Sequence, residues 1–328
     1  MKSSLTIGPL TLASPVLLAP MAGYTDLPFR VMVRSLGGLG LAYTEMLNPT
    51  SLLHGRSLRR KALVATHPDD RPLGYQLYGR DPEMLARAAE WVVARGAPLI
   101  DFNMGCPQRK IAGKGAGAGL LRKPDLAIQI VRKLLATVRV PITVKMRLGW
   151  DNATTAVDLA REFEREGVAA VTIHGRTKVQ GFAGKADMDA MRAVVEAVER
   201  IPVIANGDVV SVYTAREMFA KTGCAGIMLG RQPFKEPWII RDIARDIAGL
   251  PPLPPPTAEE RLRFMMEHYQ RIVDLYGERN AVLTFRKWLP QYLKGRFVDR
   301  GVLARLQNIN DIETWKREAT VAMLGRPL

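Results

Sequence analysis

Residues able to hold a ligand or move a proton are set singly into apolar surroundings along most of this chain. They are Pro20-Met21, Glu45, Gln76, Asn103 with Cys106, Lys145 with Arg147, His174, Asn206 with Asp208, and Gly230-Arg231. Cys106 lies in Asn-Met-Gly-Cys-Pro, between Gly105 and Pro107, where the thiol is expected to be exposed and poised to react. A cysteine in such a loop serves as nucleophile, metal ligand or acid. With no second Cys or His at ligand spacing beside it, no metal site is expected. Cys224, in Thr-Gly-Cys-Ala-Gly, reads as a small packing residue. Lys145 and His174 would bring positive charge and hydrogen bonds to one ligand ring, and Gln76 would bond the same ring.

Each of these groups follows a short run rich in β-formers. The runs begin near Pro15, Leu41, Leu73, Leu99, Pro141, Ala169, Pro202 and Ala225, and helical patterns such as Pro82 to Arg95 and Lys123 to Val138 lie between them. Continuous rather than alternating apolar runs point to parallel strands buried on both faces. Eight repeated βα units close into a (β/α)8 TIM barrel, an α/β fold whose chemistry sits at the carboxyl ends of the strands. Residues 1–248 are expected to form that barrel. Residues 249–257, Gly-Leu-Pro-Pro-Leu-Pro-Pro-Pro-Thr, cannot be helix or central strand and are expected to be a stiff linker. Residues 258–328 follow as a small helical bundle, with Leu262, Met265, Met266, Tyr269, Ile272 and Val273 on one face of its first helix.

The two last strand tips, Asn206-Gly207-Asp208 and Gly230-Arg231, are small-residue turns where barrels commonly bind phosphate. Arg231 could add a bidentate charged contact. FMN suits this arrangement better than a dinucleotide, because no Gly-x-Gly-x-x-Gly follows an early strand.

Ala19 to Asp26 (APMAGYTD), Asn103 to Pro107 (NMGCP), Lys145 to Trp150 (KMRLGW), His174 to Gly184 (HGRTKVQGFAG), the Asn206 turn and Leu229 to Trp238 (LGRQPFKEPW) together resemble the tRNA-dihydrouridine synthases. The likeness runs from about Thr6 to Ile247, and Arg286 to Trp288 with the Tyr-Leu-Lys-Gly downstream resembles the helical domain of the bacterial B-type members. The resemblance implies an FMN enzyme that takes electrons from NADPH and reduces a uridine of tRNA. It would lay Pro20, Met21 and Ala22 along the flavin, and Gln76, Lys145 and His174 at its ring and ribityl chain. Asn206, Gly207, Asp208, Gly230 and Arg231 would hold its tail and phosphate. Cys106 would be the general acid, Asn103 would hold the uracil, and Lys178 and Gln180 would line the way in. Family members often carry Arg where this chain has Lys178, and Trp where it has Met188.

The formal charge of +15, from 47 Lys and Arg against 32 Asp and Glu, argues for a polyanionic partner, and nucleic acid fits. Three basic groups are expected near the barrel mouth: Arg56, Arg59, Arg60 and Lys61; Arg109, Lys110 and Lys114; and Arg286, Lys287, Lys294 and Arg296. Two cysteines are too few for a disulfide framework, and no apolar run approaches the roughly 18 residues of a membrane span. The chain is therefore expected to be cytoplasmic, off the membrane, and without a stable protein partner. The rival reading is a related FMN barrel reductase acting on a free pyrimidine or another small molecule. It shares the phosphate end but needs neither the basic surface nor the added helices.

Overall fold

The computed structural model describes residues 2–55, 58–293 and 300–325. An antiparallel hairpin of β1 (Leu5–Ile7) and β2 (Leu10–Leu12) opens the chain. Eight parallel strands follow: β3 (Val16–Leu18), β4 (Ala42–Tyr43), β5 (Leu73–Leu77), β6 (Ile100–Met104), β7 (Ile142–Arg147), β8 (Ala170–His174), β9 (Val203–Asn206) and β10 (Gly226–Leu229). Strand β10 pairs with β3, and β3 meets β4 through the bridge between Leu17 and Leu41, so the sheet closes on itself. All eight apolar runs read from the sequence are strands of this barrel.

Strand periodicity of two sorts the side chains. On β6, Ile100, Phe102 and Met104 pack outward against the helices, whereas Asp101 and Asn103 take the inner face. The same alternation turns Gln76, Thr143, Lys145, Thr172 and Asn206 inward. The barrel interior is apolar at its amino end, where Leu5, Ile7 and Leu12 of the hairpin pack with Leu17, Leu99, Ala170, Ile204 and Met228. It turns polar toward the carboxyl end. The hairpin is a plug that the apolar-run reading did not anticipate, because each of its strands has three residues.

Helices Pro82–Val93 and Pro124–Thr137 stand where the helical patterns placed them, each with Pro in its first turn. The Pro-rich stretch forms no element, and Thr257 ends it by capping helix Ala258–Tyr276. Its hydroxyl accepts from Glu260 N at 3.2 Å, and Glu260 returns a carboxylate to Thr257 N at 2.8 Å. Leu262, Met265, Tyr269 and Ile272 of that helix are buried, as its apolar stripe requires. The C-terminal helices share a core with the barrel. Trp288, fully buried, lies 4.7 Å from Phe29, 5.2 Å from Tyr24 and 5.6 Å from Phe234, ring centre to ring centre. Among the described residues no helix is long and apolar enough to cross a membrane.

Candidate active site

Parallel pairing sets Gln76 beside Asp101, Asp101 beside Thr143, and Asn103 beside Lys145. A buried chain of hydrogen bonds follows from that register. Asp101 accepts from Gln76 Nε2 at 2.6 Å and from Thr143 Oγ1 at 2.7 Å. Gln76 Oε1 accepts from Asn103 Nδ2 at 2.8 Å. Asn103 Oδ1 then accepts from the backbone N–H of Gly105 at 3.1 Å and of Cys106 at 3.0 Å. A carboxylate in the barrel thus orients two amides in turn, and the second holds the loop that carries the thiol. The Asn103 oxygen holds that loop while its Nδ2 is fixed by Gln76.

Cys106 is 8% exposed, packed with Ile111, Ala116, Met46 and Tyr78. The expectation of an exposed thiol is corrected. The loop does not stand out from the strand end; it folds back under the segment after helix Arg109–Ala112, where Ala118 N donates to Cys106 O at 3.1 Å. Gly117 makes this possible: a Cβ there would fall 3.1 Å from the Cys106 Cβ, and its φ of +55° lies in the left-handed region. Burial pushes the Cys106 thiol above its usual pKa, with the Gln108 N–H and the Arg147, Lys110 and Lys145 charges opposing. Cys224 is buried, and burial likewise raises its thiol.

Lys145 Nζ donates to Asn206 Oδ1 at 2.9 Å, and Asn206 Nδ2 donates to Met228 O at 2.7 Å. Burial lowers Lys145 and raises Asp101, while the attraction between the two opposes both shifts. His174 was expected to add positive charge and does not. Burial first, then Lys145, Arg147, Arg176 and Arg231 around it, pull its pKa down to about 2, so the imidazole is neutral. Four cations converge on one neutral ring. Phe182, 52% exposed, has the Arg231 guanidinium 4.7 Å and the Arg147 guanidinium 5.5 Å from its ring centre.

Asp208 is held by the protein itself. Arg176 Nη2 donates to both its oxygens, at 2.9 and 2.8 Å, and Ala186 N donates at 2.7 Å. These bonds keep Asp208 at a φ of +55°, a left-handed conformation that a non-glycine residue rarely adopts. Gly207, φ +128°, sits so close to His174 that a Cβ would fall 3.3 Å from the ring. At Gly230 an added Cβ meets nothing within 4 Å, so space is open beside that turn.

Pro20 is buried, Met21 half-buried and Ala22 exposed beyond β3, with Met21 N bonded to Thr25 Oγ1 at 2.8 Å. Glu45, at the tip of β4, accepts from Gly23 N at 2.6 Å. In the loop after β8, Gln180 Oε1 accepts from Thr177 N at 2.8 Å and Lys178 Nζ lies 4.2 Å from the Trp150 ring centre. Arg147 ties that loop to the cysteine loop, donating to Gly105 O at 2.9 Å and to Thr177 O and Gly181 O at 2.8 Å. Among the basic groups, Arg109, Lys110 and Lys114 are exposed beside the cysteine. Arg56, Lys294 and Arg296, with the side chains of Arg59 and Arg60, lie outside the described residues.

Sequence reasoning gave no role to Asp101, Thr143 or Arg176, and marked Arg147 only as a strand-tip residue beside Lys145. A signal existed for the first: Leu99, Asp101 and Asn103 share one face of a period-two strand, so a carboxylate was bound for the interior. None marked Arg176, and none foretold the partners of either arginine: loop carbonyls for Arg147, and Ala183 O, Gly184 O and the Asp208 carboxylate for Arg176.

The dihydrouridine synthase (Dus) family model matches residues 17–323. The chain is 37% identical over 313 residues to tRNA-dihydrouridine synthase B of Pseudomonas putida, covering 95% of this chain and 92% of that one. It is 40% identical over 290 residues to a protein of Rhodobacter capsulatus named "Probable tRNA-dihydrouridine synthase", covering 88% and 89%. Among solved structures, 2-naphthoyl-CoA reductase with 2-naphthoyl-CoA superposes with a TM-score of 0.61 at 12% identity, over 76% of this chain and 52% of that chain. Histamine dehydrogenase from Rhizobium sp. 4-9 does so with a TM-score of 0.59 at 11% identity, over 81% and 50%. Likeness at that identity speaks to the barrel fold alone. The family match runs through the strands, the cysteine loop and the C-terminal helices alike, and on it this chain belongs to the dihydrouridine synthase family.

Proposed function

We propose that this protein reduces the C5–C6 double bond of specific uridines in tRNA, with FMN at the carboxyl end of the barrel, NADPH as electron donor and Cys106 as general acid. The observation that carries the reading is the state of Cys106. Its backbone N–H is anchored by Asn103 at the site and its thiol is kept protonated by burial, which suits an acid; a nucleophilic cysteine needs a depressed pKa. The relatives named for tRNA supply the substrate, and a cytoplasmic place goes with it.

The site residues fit FMN. Lys145, Arg147, Arg176 and Arg231 gather positive charge around His174, and of these Arg176 is paired with Asp208. An anionic ligand suits the remainder. Gly230 leaves open space where a phosphate would approach the backbone. Lys145 makes one of the three hydrogen bonds an ammonium can donate to Asn206, which leaves capacity for the ring. FMN, reduced by NADPH, supplies hydride to uracil C6.

In this reading Pro20, Met21 and Ala22 lie along the flavin, and Gln76, Lys145 and His174 meet its ring and ribityl chain. Asn206, Gly207, Asp208, Gly230 and Arg231 serve its tail, with Asp208 acting through the turn it holds. Asn103, Lys178 and Gln180 border the uridine, and Cys106 gives a proton to C5. The neutral His174 donates or accepts without adding charge. Reaching a stacked base requires extruding it from the RNA at a few kcal/mol, which phosphate contacts around the mouth must offset.

The test is anaerobic. Reduce the purified yellow protein with NADPH, add unmodified tRNA and follow flavin absorbance. Reoxidation by tRNA and not by free uridine is expected, and Cys106→Ala should keep its flavin yet slow that step by about 10²- to 10⁴-fold. Reoxidation by free pyrimidine alone would move the protein to the small-molecule reductases, and a colourless protein would overturn the cofactor.

A further inference from the structure

Several cations on the outer helices of the barrel have carboxylate partners: Arg132 with Glu166 at 2.6 Å, Lys133 with Glu83 at 2.7 Å and Lys221 with Glu217 at 2.8 Å. The loops at the carboxyl end differ. Among the described residues, Arg80, Arg109, Lys110, Lys114, Arg122 and Lys178 form no ion pair, although they stand on the loops after β5, β6 and β8. Unpaired like charges side by side raise the local potential, and the surface is ready for an anion.

Within this crescent two cations are held in place. The Trp150 ring has Lys178 Nζ 4.2 Å and Arg122 Cζ 5.1 Å from its centre. Two positive groups so close repel each other, and the negative face of the indole offsets that by roughly 0.5–1 kcal/mol per contact at exposed sites. The backbone fixes the same geometry: Lys178 N donates to Gly149 O and Val179 N to Trp150 O, each at 2.9 Å, so the loops after β7 and β8 are tied together. Arg122 closes the turn Gly117–Arg122, which packs on the cysteine loop through Gly117.

We propose that Arg122, Trp150 and Lys178 form a phosphodiester-binding station on the rim of the barrel mouth, which grips the RNA backbone beside the reacting uridine. This rests on tRNA as substrate. It gives Lys178 a phosphate to hold, not only the uracil to border, and it gives Arg122 and Trp150 a role. A chain of phosphates suits the station better than a single small anion, because the unpaired cations Lys114, Lys110, Arg109 and Arg80 continue from it along the loops after β6 and β5.

The experiment measures the affinity of the full-length protein for unmodified tRNA across salt concentrations, from about 50 to about 300 mM KCl. Arg122→Gln should lower the slope of log affinity against log salt by about 0.7–0.9 and weaken binding roughly two- to fivefold at about 0.15 M salt. Trp150→Leu should do the same and Trp150→Phe, which keeps a ring, should not. Arg132→Gln, which removes an equal charge from a paired outer site, is the control and should leave the slope as it is. An Arg122→Gln slope equal to that of the wild type or of the control would overturn the station while leaving tRNA as substrate. A wild-type protein that binds no tRNA at any salt would instead remove the reading on which it rests.

Discussion

Gln76 gives its amide N–H to Asp101 at 2.6 Å and takes the amide N–H of Asn103 at 2.8 Å, so a carboxylate with no access to water fixes which way both amides face. Asp101 can do this because two oxygens receive two donors, Gln76 and Thr143. Asparagine offers one oxygen and one NH2 group. Asp101→Asn should therefore free Gln76 to flip and release Asn103 from the cysteine loop. The expected outcome is a fall of about 10²-fold in the rate of uridine reduction with tRNA affinity unchanged, read by single-turnover reoxidation beside a binding titration. An unchanged rate would mean that the relay does not position the thiol.

Arg176 ties Asp208 to the loop after β8 through bonds to Ala183 O at 3.1 Å and Gly184 O at 2.7 Å. Arg176→Met keeps much of the volume and leaves the carboxylate without its cation. Breaking a buried pair from one side costs about 3–5 kcal/mol, and Asp208, 32% exposed, recovers part of that from water. We expect a lower urea midpoint and a purified protein with less flavin per chain, because the Gly207-Asp208 turn loses its shape. Full flavin content would separate this pair from the cofactor site.

Trp288 joins the C-terminal helices to the barrel through Tyr24, Phe29 and Phe234. Trp288→Ala opens a cavity where three elements meet and should cost about 3–5 kcal/mol. Urea unfolding should show the loss in one shared transition, because the two regions are packed as one core. Two separate transitions, with only the second unchanged, would show that the helices unfold apart from the barrel.

Asp26 caps helix Leu27–Ser35 and accepts from Tyr276 at 3.3 Å. Burial pushes its pKa up to about 6, against the pull of Lys287, with Glu45 adding to the rise and the Phe29 N–H and Arg30 opposing it. A raised value means that the folded protein holds the proton more tightly than the unfolded chain. The stabilisation is therefore full below the ordinary carboxylate pKa and lost as pH rises through about 6. Asp26→Asn keeps the cap and does not titrate. Its stability relative to the wild type should grow from about pH 4 to about pH 8 by a difference on the order of 3 kcal/mol. A constant difference across that range would contradict the assignment.

The sequence by itself determined the barrel and where its chemistry had to be. Runs such as Leu73 to Leu77 and Ile142 to Arg147 are apolar on the outward face by composition, and each carries near its carboxyl end a polar residue, Gln76 or Lys145, that a parallel barrel must bring to one rim. Cys106, Lys145 and His174 were legible for that reason. Tertiary structure alone decided the partners. Register chose Asp101 for Gln76, and closure brought Arg147 to Gly105, Thr177 and Gly181. A path of 250 residues separates Tyr276 from Asp26. Charge states followed the surroundings: His174 is neutral because burial, and after it three arginines and a lysine, lower its pKa, and the Cys106 thiol is protonated because its loop folds inward. Local sequence carries the period of a strand and the identity of its tip. Solvent exclusion and the field at that tip come from residues distant along the chain, and only the folded arrangement supplies them.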